Sequence, residues 1–320
     1  MGAPELSVIL VTPDSYDRIR KTMRCLLRQT VRERLEVVIV ATTLAELGAG
    51  DTAWNGFFCV RTVAAGTFLD TGHARAAGVR QATAPVVAFG EDHCFPEAEW
   101  AEELIRMHRE PWGAVAPALD NANPGWLSWA DFLLNFGPAV LATKSGTASR
   151  TPWHNTSYKR DALESYGARL ECMLEVEGRL QEDLVRRGRL LYLAAGIRAH
   201  HTNMSRLRSY MCGQFWGGRL YAAARAESGE WRWAQRLIYA LGSPLIPLVR
   251  LPRVLRDARR AGRLTLLLPP ACLLGLICSA SGEMAGCAAG AGAAGERRLS
   301  YEFRRRDHVR TRDISVLESD

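Results

Sequence analysis

Two unbroken apolar runs near the start of the chain constrain its fold more than any other feature. Residues 6–11 read "LSVILV" and residues 35–43 read "LEVVIVATT". A run rich in β-branched residues, without polar alternation, is typical of a strand that is buried on both faces. Between the two runs, Ile19, Met23 and Leu26 recur at helical spacing. The order strand, helix, strand predicts a parallel sheet built from βα units.

The same alternation continues to about residue 201. Further strands are predicted near residues 57–63 and in "PVVAF", "WGAVAPAL" and "LLYLAAGIRAHH". The predicted helices include "TGHARAAGVRQA", "EAEWAEELIRMHRE", "SYKRDALESYG" and "EVEGRLQEDLVRRGR". Residues 120–150 are rich in Asn, Gly, Pro, Ser and Thr, which predicts a long loop or an irregular insertion. The pattern indicates an α/β fold with a mostly parallel sheet and helices on both faces.

Composition and charge narrow the class of protein. The 320-residue chain is 48% hydrophobic and 23% charged, as expected of a globular protein, which excludes wholesale disorder. Its net charge of +7 comes almost entirely from arginine, and much of it follows residue 200. Such charge suits an anionic membrane surface or a phosphate-bearing ligand, and no recognised nucleic-acid-binding motif accompanies it in the sequence. The eight cysteines form no CxxC pair and the first residues show no secretory signal, which favours a reducing compartment.

The sequence changes character at about residue 235, where apolar segments are broken by prolines and flanked by arginines. The densest apolar stretch, residues 264–278, is shorter than the roughly 20 residues that a spanning helix needs. Extending it to residue 294 would place Glu283 inside the span. Arginines on both sides favour interfacial helices or a re-entrant hairpin over a single crossing. The alternative is a water-soluble helical subdomain with its own core.

An acidic cluster, Glu91, Asp92 and His93, follows the predicted strand at residues 85–89 within two residues. In an open parallel sheet, ligands bind at the carboxyl ends of the strands. Carboxylates and a neutral imidazole are suitable ligands for a divalent cation, which can in turn hold a diphosphate. The alternative is a solvated turn in which Asp92 caps the next helix.

The order of these motifs resembles the family 2 glycosyltransferases, which adopt the nucleotide-sugar-binding GT-A fold. After the first two strands, "ARAAGVRQA", "AFGEDH", "HNTSYKRDAL" and "EDLVRRGRLLYLAAGIRAHH" follow one another as in that family. The resemblance covers roughly residues 5–205. It implies a GT-A-like, Rossmann-related catalytic domain over residues 1–210. The composition of the remainder then predicts a membrane-associated helical region over 211–295 and a charged flexible tail over 296–320.

The resemblance implies a divalent cation, Mg or Mn, that holds the diphosphate of a nucleotide-sugar donor. The implied metal ligands are Asp92, His93 and His200, and a histidine at the metal position departs from the family's aspartate-rich motif. The residues implied to bind the donor are Thr12, Pro13, Thr42, Arg75, Glu91 and Asp92. Many family members place an aspartate after the second strand to hold the nucleotide base. This chain has Thr42 in that region, which leaves the donor base open.

Glu182 and Asp183 resemble the family's acidic pair, which lies beside the acceptor hydroxyl. The implied general base is Asp183, with Glu182 as the fallback, and attack opposite the leaving group inverts the anomeric centre. The alternative is that the pair forms helical ion pairs with Arg186 and Arg187. The residues implied to bind the acceptor are Asn155, Ser157, Tyr158 and Trp153.

The expected activity is that of a metal-dependent, inverting glycosyltransferase of the hexosyltransferase type. The acceptor is expected to be a glycan or a lipid-linked molecule, as in polysaccharide biosynthesis, at the cytoplasmic face of the cell membrane. The alternative is a catalytically silent GT-A-like module that binds a nucleotide or scaffolds a membrane assembly. A sugar-phosphate nucleotidyltransferase fits less well, because the first strand leads into "TPDSYDR" and not into a glycine-rich phosphate-binding loop.

Overall fold

The computed structural model describes residues 2–47, 54–137, 144–152 and 154–318. The chain forms two compact units. Unit 1 comprises Met1–Asp120, Leu141–His201 and Leu317–Asp320, and unit 2 comprises Asn121–Val140 and Thr202–Val316. Unit 1 holds the sheet, whereas the described residues of unit 2 are mostly helical.

The described residues of unit 1 form a nine-stranded sheet. Its strands are β1 (Leu6–Thr12), β2 (Leu35–Ala41), β3 (Cys59–Ala64), β4 (Val86–Gly90), β5 (Cys94–Pro96), β6 (Trp112–Asn121), β7 (Gly146–Ala148), β8 (Ser157–Lys159) and β9 (Leu190–His201). They lie in the order β3-β2-β1-β4-β8-β6-β9-β5, and β7 also pairs with β9. Strands β1 to β4 run parallel. Strand β8 is antiparallel to β4 and β6, while β5 and β7 are antiparallel to β9.

The helices divide between the two units. Those of unit 1 are α1 (Tyr16–Leu27), α2 (Leu44–Leu47), α3 (Thr71–Val79), α4 (Trp100–Met107), α6 (Arg160–Glu164), α7 (Leu170–Glu175) and α8 (Glu177–Arg186). Unit 2 contains α5 (Trp126–Phe136), α9 (Leu207–Ser228), α10 (Trp233–Gly242), α11 (Ile246–Arg260), α12 (Leu268–Ala289), α13 (Ala294–Phe303) and most of α14 (Thr311–Glu318).

Strand β1 lies at the centre of the core, as its apolar sequence predicts. Leu6 is in register with Leu35 of β2 on one side and with Val86 of β4 on the other. Every residue of β1 and of β2 is buried, because helices cover both faces of a parallel sheet. The predicted α/β fold with a mostly parallel sheet is therefore confirmed.

Two segments are more regular than the sequence analysis predicts. Residues 120–150, expected to be a loop or an irregular insertion, contain helix α5, which is almost entirely buried. The burial of its apolar residues stabilises a helix in spite of the turn-forming residues on both sides. Residues 296–320 were expected to form a charged flexible tail, but α13 and α14 extend through them to Glu318. Phe303 and Val309 are buried there, and the Asp313 carboxylate accepts a hydrogen bond from the Ser205 hydroxyl.

One buried carboxylate joins several elements of unit 1. Glu36 of β2 is fully buried and accepts hydrogen bonds from the Ser7 hydroxyl (2.5 Å), the Thr83 backbone N–H (2.6 Å) and the Arg61 guanidinium (2.7 Å). Burial alone raises the pKa of Glu36, but these hydrogen bonds outweigh it and lower the pKa below its usual value. The carboxylate therefore ties β1, β2 and β3 to the segment that precedes β4.

In unit 2, glycines allow α9 and α12 to pack closely. A Cβ atom added at Gly282 would lie 2.0 Å from the Phe215 carbonyl oxygen, and one at Gly286 would lie 2.2 Å from that of Arg219. On the facing helix, a Cβ atom at Gly218 would lie 2.2 Å from the Ser279 carbonyl oxygen. Such contacts leave no room for a side chain, so the two backbones touch directly.

Two helical stretches in the described part of the chain are long and apolar enough to cross a membrane. Trp233–Arg260 has a mean hydropathy of 1.2 over its most apolar window, of which 22% is buried within the protein. Leu268–Ala289 reaches 1.5, and 56% of its window is buried. Length and composition alone do not distinguish a membrane span from the core helix of a soluble protein, so the difference in burial is the more useful observation.

We expect Glu36→Gln to lower the free energy of unfolding by about 2 kcal/mol at neutral pH, since hydrogen bonds to charged groups contribute roughly 1.5–3 kcal/mol. The pKa of Glu36 is lower in the folded protein than the value of about 4.3 in unfolded chains. The advantage of the wild type is therefore complete above that pH and is lost as the pH falls through the folded pKa. Urea unfolding of both proteins at several pH values measures this difference, and a difference that does not shrink on acidification would contradict the assignment.

We expect Gly282→Ala to destabilise unit 2 by about 1–3 kcal/mol or more, because the added methyl group overlaps a backbone carbonyl that cannot move without separating α9 from α12. Gly242→Ala is the matched control, since a Cβ atom at Gly242 meets nothing within 4 Å. Thermal unfolding followed by circular dichroism compares the two variants. Equal stability of both would show that the close helix contact is not a constraint.

Candidate functional site

The candidate site lies at the carboxyl end of β4, where Glu91 is the first residue after the strand. Its side chain is buried, as are those of His93 and His201. Strand β5 brings the two histidines together, because Cys94 is in register with His201 in an antiparallel pair. The carboxylate and both imidazoles therefore converge at the edge of the sheet where the sequence predicts a ligand site.

The group of Glu91, His93 and His201 has the geometry of a potential metal site. The Glu91 Oε2 atom lies 3.5 Å from His201 Nε2 and 3.8 Å from His93 Nε2. The two rings meet edge to face with centroids 4.7 Å apart, and one potential ligand atom from each of the three residues lies within 4.8 Å of the others. One carboxylate and two imidazoles form a donor set suited to a divalent cation. The predicted cation site is supported in this form, while the identity of the ion stays open.

Asp92 occupies a different position from the one predicted. It is not among the three converging ligands; its carboxylate instead accepts a hydrogen bond from Nδ1 of His93. Because an ionised carboxylate can only accept, Nδ1 of His93 is the donor in this contact, so Nε2 is the ring nitrogen left to hold a cation. Asp92 therefore orients a ligand, as carboxylates beside metal-binding histidines commonly do.

His200, predicted as a ligand, lies outside the group, and His201 takes its place. Successive side chains of a strand point to opposite faces of the sheet, so only one of the two histidines can face the site. The His200 ring is 40% exposed, and its Nε2 atom lies 3.0 Å from the Glu97 carboxylate. The alternation of side chains along β9 thus determines that His201, and not His200, lies beside Glu91.

Glu91 is held among positively polarised groups. Asn155 donates a hydrogen bond of 2.8 Å to its Oε2 atom, and a guanidinium nitrogen of Arg75 lies 3.9 Å from its Oε1 atom. Burial alone raises the pKa of Glu91, but the neighbouring imidazoles of His93 and His201 outweigh it and hold the pKa well below its usual value. Glu91 is therefore ionised at neutral pH and provides the negative charge of the site.

A buried polar network extends from Arg75 to helix α8. Arg75 contacts the ring of His154, whose Nδ1 atom lies 2.9 Å from Oε2 of Glu177. The Glu177 carboxylate also accepts hydrogen bonds from the His154 backbone N–H and, at 2.7 Å, from the Tyr158 hydroxyl. His154 has a φ of 69°, a left-handed conformation that is uncommon for residues other than glycine. Such strain persists where surrounding contacts fix it, and it clusters at functional sites.

The predicted catalytic residues, Asp183 and Glu182, form other contacts. Asp183 accepts hydrogen bonds from the Tyr166 hydroxyl (2.8 Å) and the Arg187 guanidinium (2.6 Å). Glu182 pairs with Arg150 at 2.8 Å, and both of these side chains are about half exposed. Asp183 and Arg187 thus form the helical ion pair that the sequence analysis gives as the alternative.

Glu177 is the carboxylate that the sequence analysis missed. It is fully buried and lies on the same face of α8 as Leu180, Gln181 and Leu184, which are also buried. Positions i, i+3, i+4 and i+7 form one face of a helix. This periodicity in the sequence indicates that Glu177 lies on the buried face of α8, which does not include Asp183.

The other predicted residues make the following contacts within unit 1. Thr42 donates a hydrogen bond of 2.6 Å to the Pro13 carbonyl, which joins the loops after β1 and β2, and Thr12 donates one of 2.7 Å to the Ser15 carbonyl. Ser157 and Tyr158 are buried within β8. The remaining predicted acceptor residue, Trp153, lies outside the residues that the structure describes.

Comparison with known proteins shows the fold and leaves the family open. No protein-family profile and no curated protein sequence matches the chain. Among solved structures, the mannosyltransferase PcManGT from Pyrobaculum calidifontis, in complex with GDP-Man and Mn2+, matches with a TM-score of 0.57 at 15% identity, covering 88% of both chains. S. aureus TarS 1-349 in complex with UDP matches with a TM-score of 0.49 at 14% identity, covering 88% of this chain and 90% of TarS 1-349. The chain therefore has a glycosyltransferase-like GT-A fold.

We expect His201→Ala to abolish the thermal stabilisation that Mn2+ gives the protein, because a cation that binds only the folded state raises its stability. His200→Ala is the matched control, since it removes the neighbouring imidazole on the opposite face of β9 and should keep the full stabilisation. Thermal unfolding with and without MnCl2 measures the effect without any enzymatic assay. Loss of the Mn2+ effect in His200→Ala, together with its retention in His201→Ala, would overturn the assignment of ligands.

Proposed function

We propose that the protein is a nucleotide-sugar-dependent glycosyltransferase of family 2 that inverts the anomeric centre of its donor. The observation that carries this proposal is the buried group of Glu91, His93 and His201 at the carboxyl end of β4, in a GT-A-like sheet. In open α/β sheets this edge is where phosphate-bearing ligands bind.

The donor is proposed to be a nucleoside diphosphate sugar. PcManGT, which shares the fold, is a mannosyltransferase solved with GDP-Man and Mn2+, and its similarity supports this class of donor. A cation at the Glu91 group would neutralise the charge that develops on the departing diphosphate. Thr12, Pro13 and Thr42 lie at or just after the carboxyl ends of β1 and β2, and they are the proposed contacts to the nucleoside. The identity of the base and of the sugar remains open.

The donor set also bears on the choice of cation. Mg2+ takes oxygen ligands and keeps several waters, whereas imidazole nitrogen suits transition-metal ions. With His93 and His201 as two of three potential ligands, we propose that Mn2+ or a similar transition ion supports activity better than Mg2+ does. Asp92 would strengthen binding by holding the ring of His93.

The carboxylate that activates the acceptor is proposed to be Glu177, in place of Asp183. Glu177 is linked through His154 and Arg75 to Glu91, whereas Asp183 is held by Tyr166 and Arg187. In this scheme the acceptor oxygen forms a bond to the anomeric carbon while its proton passes to Glu177. The bond from that carbon to the diphosphate breaks on the opposite side, so the configuration inverts.

The acceptor and the location are proposed from unit 2. Exposed apolar side chains on α10 and α11, together with the arginines of α11, suit a protein that works at the cytoplasmic face of the cell membrane. A glycan or a lipid-linked molecule at that surface, as in polysaccharide biosynthesis, is the proposed acceptor. A hexose is the proposed transferred group.

We expect the protein to release nucleoside diphosphate from one member of a panel of nucleotide sugars in the presence of Mn2+. Glu177→Gln should lower this rate about 10²- to 10⁴-fold, the usual contribution of a general base, while Asp183→Asn should stay close to wild type. Acceptor-dependent release of diphosphate measures the rate, and NMR of the product gives its anomeric configuration.

Thermal unfolding of Glu177→Gln and Asp183→Asn separates lost chemistry from lost folding. If both variants are folded and lose the same fraction of the transfer rate, the proposed role of Glu177 is contradicted. Nucleotide binding without turnover on every donor and acceptor tried would instead favour a catalytically silent GT-A-like module.

A further inference from the structure

In the described part of unit 2, large apolar side chains are exposed on α10, on α11 and on the segment that joins α11 to α12. The exposed fraction is 76% for Trp233, 71% for Leu241, 71% for Leu248 and 91% for Leu266. Soluble proteins usually scatter such side chains singly, and larger contiguous patches mark a surface that binds a partner or a membrane.

The helical geometry of α10 places three of the exposed side chains on one face. Trp233, Leu237 and Leu241 follow one another at intervals of four residues on α10, and Leu245 is exposed in the 3-10 turn that follows it. Residues four apart lie on the same face of a helix. We call this set of exposed side chains the docking face; it consists of Trp233, Leu237, Leu241, Leu245, Leu248 and Leu266.

The exposed side of α11 changes from apolar to basic along its length. Val249 is exposed near the start of the helix, and Arg253, Arg256 and Arg260 follow it at intervals of four, three and four residues, all exposed. The same side therefore offers aliphatic groups first and guanidinium groups afterwards. Arginine can keep its charged end in water while its stem covers apolar surface, which suits the boundary between acyl chains and anionic headgroups.

Helix α12, the more apolar candidate span, is not part of the docking face. Its glycines press it against α9, and its one carboxylate, Glu283, is buried with a guanidinium nitrogen of Arg250 at 3.9 Å. This face of α12 is therefore packed within unit 2, while Leu273, Ile277 and Met284 lie exposed on another side of the helix.

We infer that unit 2 binds peripherally to an anionic phospholipid bilayer through the docking face, with the arginines of α11 at the headgroups and α12 retained within the protein. This inference rests on the proposed membrane location and is independent of the proposed chemistry. Apolar burial supplies the attachment, and the basic residues select anionic lipid.

The test uses the full chain and vesicles of phosphatidylcholine, with or without phosphatidylglycerol, in a sedimentation assay. We expect binding to the mixed vesicles only, weakened by high salt because the charges lie at the surface. Leu241→Gln combined with Leu248→Gln should weaken binding about tenfold or more, as two leucines lose their burial in lipid. Arg253→Gln combined with Arg256→Gln should remove the preference for phosphatidylglycerol.

Leu190→Gln is the matched control, since it replaces a half-exposed leucine of unit 1 and should bind vesicles like the wild type. Equal binding to both kinds of vesicle, or binding to neither, would overturn the inference. Retention of the protein in cell membranes after alkaline carbonate extraction would also overturn it, because such retention indicates a membrane-spanning helix. A wild-type dimer that the Leu241/Leu248 variant loses, without vesicle binding in either, would assign the face to self-association. Glu177→Gln should bind vesicles normally, so failure of the proposed chemistry and failure of docking are distinguishable.

Discussion

A carboxylate buried at the end of a core strand is the constraint on which the candidate site depends. Moving an ionised carboxylate out of water costs several kcal/mol unless charged or hydrogen-bonding partners compensate it. Glu91 meets this requirement through Asn155, two imidazoles and Arg75, each of which comes from a different part of unit 1. The site therefore fixes how β9, α3 and the segment before β8 meet β4. Glu91 and its two imidazoles are also the donor set that a divalent cation would use.

The compensation does not stop at the residues that contact Glu91. Arg75 brings a positive charge into the interior, and it is followed by His154 and then by the carboxylate of Glu177. A chain of polar contacts thus joins the carboxylate of Glu91 to that of Glu177 on helix α8. In a low-dielectric interior such a network is strong when every member has its partners and costly when one is lost. The proposed base and the proposed cation site are therefore one electrostatic unit, although Glu177 lies 86 positions after Glu91 in the sequence.

The sequence predicted those parts of the fold and the site that depend on local pattern. The buried strands were evident because a parallel sheet covered on both faces leaves no polar alternation, and Glu91 was evident because it follows β4 directly. That His201 and not His200 lies beside Glu91 depends on the face of β9, and the burial of Glu177 depends on the inward face of α8. His154 could not be predicted, since its left-handed backbone is maintained by contacts with residues distant in the sequence.

The C-terminal region shows why hydropathy alone misjudges the role of a helix. By mean hydropathy, Leu268–Ala289 is the stronger membrane candidate, yet it is also the more buried of the two stretches. Leucine, isoleucine, cysteine and alanine supply the hydropathy of α12, and its glycines allow its backbone to approach α9, which explains its burial. The less apolar α10 and α11 keep their leucines and a tryptophan in solvent. Small residues allow α12 to pack closely against α9, whereas large apolar side chains are left exposed on α10 and α11.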